Sequence, residues 1–223
     1  MSLTLDVFNS GYVPVNGGPG WESARAATWP ASTATLIAGE REAILVDALM
    51  TIEEGRQLAS WIGDSGKNLT NIVITHGHGD NFFGAGPVLA AFPEARLVAL
   101  NTAVVDEARM HVVDPILQNW IEWFRDEFNH QAAVPQALGS ETLTVEEHPV
   151  HLIEVGVPMV HWPRCCTSRT GHRLHRRRGL QQHPHVVVEL DTGEPPNLAV
   201  DHRQDCRHEP GNHHRRSQGS RCG

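Results

Sequence analysis

Residues 75–83 read Thr-His-Gly-His-Gly-Asp-Asn-Phe-Phe. His76 and His78 stand two apart, so in extended backbone their imidazoles share a side, and Asp80 adds a carboxylate on the same turn. Gly77 and Gly79 let the chain fold tightly around a cation. Two imidazoles and a carboxylate are the nitrogen and oxygen donors that zinc accepts at about 2.0–2.2 Å. One histidine in a glycine-rich loop would be read as solvated. These three donors directly follow the apolar run Asn71-Ile72-Val73-Ile74-Thr75 and are read as a metal site.

The elements that must position this loop can be read on either side of it. Apolar runs at Thr4–Phe8, Ala34–Ala38, Glu42–Asp47, Ile72–Thr75 and Arg96–Ala99 predict strands. Helices are predicted over Ile52–Ile62, with Leu58, Trp61 and Ile62 on one side, and over Gly86–Phe92. Leu117, Trp120, Ile121, Phe124 and Phe128 recur at helical spacing and predict an amphipathic helix over Ile116–Phe128. Gly11–Ser32, rich in Gly and Pro with Tyr12, Trp21 and Trp29 interspersed, reads as a loop whose aromatics either line a cleft or pin the loop to the core. Strands alternating with helices imply a layered α/β domain. His111, His130, His148 and His151 fall outside any ligand spacing and are read as core or surface histidines.

The loop resembles the signature His-x-His-x-Asp-His of the metallo-β-lactamase-fold hydrolases, and the likeness covers roughly residues 1–156. That resemblance implies a four-layer αββα metallo-β-lactamase-like sandwich, incomplete here at the C-terminus, with metals at one sheet edge. It implies that His76 and His78 serve one metal and Asp80 a second, with zinc as the ion, one or two per intact site. It further implies that Asp80 is catalytic, helping to hold a metal-bound hydroxide that attacks an ester, amide, lactone or thioester of a small-molecule substrate. Asn81 replaces the final His of the signature, which weakens the second site. Asp47, ending the run Ala43–Asp47, occupies the place where the family keeps an Asp beneath the metals. Its role is either to orient the ligand loop or simply to form a turn. An insertion at the 116–128 helix can roof the active site in this family.

Composition divides the chain. Net charge is −8 overall, but residues 1–163 hold 7 Lys and Arg against 20 Asp and Glu, while residues 164–223 hold 11 against 6. Beyond Trp162 there is no Ile, Phe, Tyr, Trp or Met, while 8 of the 15 His and all four Cys fall there. Such a segment cannot build a packed core, so residues 1–156 are expected to form the N-terminal part of the domain and 157–223 an aberrant, disordered tail. The tail also has the composition of a GC-rich gene read out of frame. Back-translated from His175 and moved one base forward, it reads Ile-Gly-Asp-Val-Val-Tyr-Asn-Asn-Ile-His-Met-Trp-Leu-Trp, an apolar text with a Gly-Asp. The break would follow Leu152–Gly156, and Val157 stands where the resembling proteins often place a third metal His. Weak metal binding and impaired activity follow.

Two other functions compete: a non-catalytic remnant of the fold, and a tail acting as a basic binding module through Arg176–Arg178, Arg215 and Arg216. Adjacent Cys165 and Cys166 without any Cys-x-x-Cys pair exclude zinc-finger spacing. The absence of aromatics or helical periodicity argues against nucleic acid as a partner. No apolar run approaches the ~20 residues of a membrane span and the first residues lack a signal pattern, so a cytoplasmic protein is expected.

Overall fold

A computed structural model of the chain describes residues 3–17, 27–155 and 185–190. By internal contacts the chain divides into Met1–Asp191 and Thr192–Gly223, and every described residue lies in the first unit. The strands are β1 (Thr4–Asn9), β2 (Val13–Val15), β3 (Ala27–Trp29), β4 (Thr33–Ala38), β5 (Glu42–Val46), β6 (Asn68–Ile74), β7 (Arg96–Ala99), β8 (Gln136–Ala137), β9 (Thr142–Val145), β10 (His148–Val155) and β11 (His185–Leu190). The helices are α1 (Ile52–Asp64), α2 (Ala85–Ala91), α3 (Thr102–His111) and α4 (Ile116–Phe124).

A six-stranded sheet runs β1-β4-β5-β6-β7-β8, antiparallel through β5 and parallel from β5 to β8. Its central strand β6 is buried at Asn71–Ile74, as an unbroken apolar run in a parallel sheet should be. A three-stranded antiparallel sheet, β11-β10-β9, supplies Leu143, Val145, Val150 and Leu152 to the same apolar cluster as Leu36, Ile44 and Leu45. Leu58 and Ile62 of α1, Val88 of α2 and Val104, Val105 and Ala108 of α3 join that cluster. Helices and two sheets thus form the α/β layering expected.

Helix α1 starts where Thr51 and Glu54 close a capping box: the Thr51 hydroxyl accepts from the Glu54 N–H, and the Glu54 carboxylate accepts from the Thr51 N–H at 2.7 Å. That ties down the β5–α1 turn beside the ligand loop.

Several expectations need correction. The helix predicted to Phe128 stops at Phe124, because Arg125 adopts φ 50° and ψ −122°; Phe128 still packs inward after a short 3₁₀ turn. Within Gly11–Ser32, β2 and β3 pair as a ribbon, and Trp29 is packed against Trp120, Trp123 and Phe124. Helix α3 has no counterpart in the sequence reading. The expected tail 157–223, Val157 included, lies outside the described residues except for His185–Leu190, a Val-rich run that pairs with β10 from Val150↔Leu190 to Val155↔His185.

Candidate metal centre

Strands β5 and β6 are parallel neighbours and end side by side, which sets Asp47 next to Thr75 at the carboxyl edge of the sheet, where α/β folds place their sites. Asp47 leaves its strand with φ 60°, and its N–H donates to the Val73 carbonyl at 2.8 Å. Its carboxylate accepts the Thr75 N–H at 2.8 Å and the Thr75 hydroxyl at 2.9 Å. Asp47 therefore grips the residue before the first imidazole.

The Asn81 side-chain amide, a donor, lies 3.1 Å from His76 Nε2, so Nε2 accepts and Nδ1 carries the ring proton. Thr75 Oγ1, 3.2 Å from His76 Nδ1, accepts from that N–H and donates its own hydroxyl to the Asp47 carboxylate at 2.9 Å. A four-residue relay, Asn81 to His76 to Thr75 to Asp47, thus fixes one tautomer and one ring orientation.

His78 is held from the other side. Its ring lies 4.8 Å from that of His76 and 4.8 Å from that of His111, centroid to centroid. Its Nε2 lies 3.4 Å from Glu107 Oε1, and the Glu107 side chain is 3% exposed. An ionised carboxylate only accepts, so it favours the proton on Nε2 and the lone pair on Nδ1. Glu107 Oε2 also accepts the Gly77 N–H at 2.8 Å. His111 Nδ1 accepts the Gly79 N–H at 3.3 Å and the Trp120 indole N–H at 2.9 Å.

Gly77 must be glycine for lack of room: a Cβ there would stand 2.3 Å from the Ala108 nitrogen and 2.6 Å from Glu107 Cβ. Burial pushes the Asp47 carboxyl up to about 7, against the lowering influence of the Thr75 hydrogen bonds. Burial likewise raises Asp80, opposed by the neighbouring His78 and reinforced by Glu54.

The structure thus gathers His76, His78, Asp80 and Asn81 on one loop, with Asp47 on its sheet side. It adds Glu107 and His111, which sequence reasoning left out or set aside. They form an i, i+4 pair on α3, which Asn101 caps by accepting the Val104 N–H at 3.1 Å, a spacing that carries meaning only once that helix is known. Of the other histidines set aside in the sequence, His130 packs on Phe128, and His151 bonds Thr142.

A family model described as the metallo-beta-lactamase superfamily matches residues 27–163. The chain belongs to that superfamily. Comparison with curated proteins finds no match. Among solved structures, BLEG-1 B3 metallo-beta-lactamase is 18% identical with TM-score 0.42, over 67% of this chain and 60% of that one. A metallo-beta-lactamase from Hirschia baltica is 16% identical with TM-score 0.41, over 67% of this chain and 55% of that one. Likeness at this level carries no argument about function. The chain spans little more than half the length of these structures.

The donors fit a zinc site only in part. Two imidazoles and a carboxylate have the right chemistry, yet among the described residues no group of three or more His, Cys, Asp or Glu is arranged to hold an ion. His76 Nε2 faces the Asn81 amide, which offers protons where a ligand would offer a lone pair.

Proposed function

We propose that this chain carries one half of a zinc site in a metallo-β-lactamase-fold hydrolase, and that as it stands it binds zinc weakly and hydrolyses poorly. The observation that supports this reading is the gathering of His76, His78 and Asp80 on one loop, with the two imidazoles 4.8 Å apart between ring centroids and His76 anchored through Thr75 to Asp47. A catalytic zinc takes three protein ligands and keeps one open position, and the described residues supply too few. The substrate is a small ester, amide, lactone or thioester, and the protein works in the cytoplasm. No helix among the described residues is long and apolar enough to cross a membrane.

The ligands that are missing belong, on this reading, to the frame that residues 157–223 do not carry. The gene's nucleotide sequence around codons 157–175 tests that directly. An insertion or deletion there, followed by zinc uptake and lactone, ester or thioester hydrolysis in the repaired protein, is the expected result. An unbroken frame removes the frameshift, and a repaired protein without zinc removes the hydrolase assignment.

The non-catalytic remnant differs in outcome only: zinc content without turnover in the repaired protein would select it.

A further inference from the structure

The two glycines of the ligand loop donate their N–H groups to two side chains of one helix. Gly77 donates to Glu107 and Gly79 to His111, four residues on and one turn further along α3. Loop donors spaced by two thus meet helix acceptors spaced by four. His111 has a second partner. The indole N–H of Trp120 in α4 shares its Nδ1 at 2.9 Å, and Trp120 packs edge-on against Trp29 and Phe83. Both partners are donors only, so Nδ1 is an acceptor and Nε2 holds the proton of the neutral ring.

We propose that Glu107 and His111 are positioning residues: together they hold the His76–Asp80 loop in its observed backbone conformation, and His111 joins that loop to the aromatic wall built on Trp120 and Trp29. The inference rests on the metal reading for what the loop is held ready to do, but not for the holding itself.

The test compares variants that keep or remove the acceptor. His111→Asn places an acceptor oxygen where Nδ1 stands, whereas His111→Phe keeps a ring and removes the acceptor. Glu107→Gln keeps an acceptor, and Glu107→Met removes it. The full chain is followed by amide hydrogen exchange at Gly77 and Gly79, by the Trp120 indole proton signal, and by cobalt(II) titration watched through its visible spectrum.

Losing one buried hydrogen bond should raise exchange at Gly79 about 10-fold in His111→Phe and at Gly77 about 10-fold in Glu107→Met, with Asn and Gln restoring protection to within about 3-fold. The indole signal should move in His111→Phe and remain in both Glu107 variants. If His111→Phe does not fold, the Glu107 pair and the His111→Asn indole signal carry the test. Exchange rates that are alike in acceptor-keeping and acceptor-lacking variants would overturn the proposal. Failure of every protein to take up cobalt, with the exchange pattern as expected, would overturn the metal reading alone.

Discussion

The ligand loop has a sheet side and a helix side, and they hold their imidazoles by different means. On the sheet side, His76 is fixed by Thr75 next to it, by Asn81 five residues on, and by Asp47 at the end of the neighbouring parallel strand. On the helix side, His78 meets Glu107 and His111, about thirty residues away on an element that packs across the loop. The first arrangement is mostly local and relays protons through short side chains. The second is wholly long-range and leaves no room, since Gly77 touches the helix backbone. A loop held this way has its geometry imposed from both flanks, which is what a ligand loop requires before an ion arrives.

The sharpest break between the sides should appear on titrating Asp47. Its folded pKa of about 7 lies above the ordinary 3.8, so the protonated form is the one burial favours. Its contribution to stability is complete below about 3.8 and is lost as pH rises through about 7. Metal-free protein should therefore lose up to about 4 kcal/mol of unfolding free energy between those limits. Asp47→Asn, which suits the φ of 60° and can still accept the Thr75 N–H, should flatten that slope in urea melts taken from pH 4 to pH 8.

On the helix side the comparable effect is steric. Gly77→Ala should cost about 3 kcal/mol, independent of pH, because the new methyl meets α3 backbone. A denaturation midpoint unchanged from the parent protein would show that α3 yields freely. Thr75→Val keeps shape but removes the hydroxyl that links His76 to Asp47; zinc affinity should fall about 10-fold, and the carboxyl oxygen left without its donor should cost about 1–2 kcal/mol of stability. Smallest is Thr51→Ala, which opens the capping box of α1 and should cost about 1 kcal/mol with no change in zinc affinity.

How much of this was legible in the sequence follows the same division. Strands β1, β4, β5 and β7 and the body of α1 could be read because their apolar patterns are continuous and local. His76, His78 and Asp80 were legible because alternation within five residues needs no knowledge of the fold. Asp47 was singled out only because the resembling family keeps an Asp at that place, with a plain turn former as the other reading. Helix α3 was illegible: its apolar residues Val104, Val105 and Ala108 are few and small, so its periodic signal is faint. Without α3, nothing connects Glu107 and His111 to a loop thirty residues earlier, and a buried histidine that accepts two N–H groups looks like any other. Helix α4 was overextended because the apolar rhythm continues through Phe128, while the break is made by the backbone at Arg125, which no side-chain pattern announces.

The account stands or falls on whether the loop itself takes the ion. Zinc titration by calorimetry of the full chain and of His76→Ala/His78→Ala reads this most directly, since the distal histidines and cysteines remain in both. The prediction is one binding event in the parent chain that disappears in the double variant, measured where circular dichroism shows both proteins folded. Identical titrations for the two proteins would mean that the zinc sits elsewhere, and the metal centre described here would have to be abandoned.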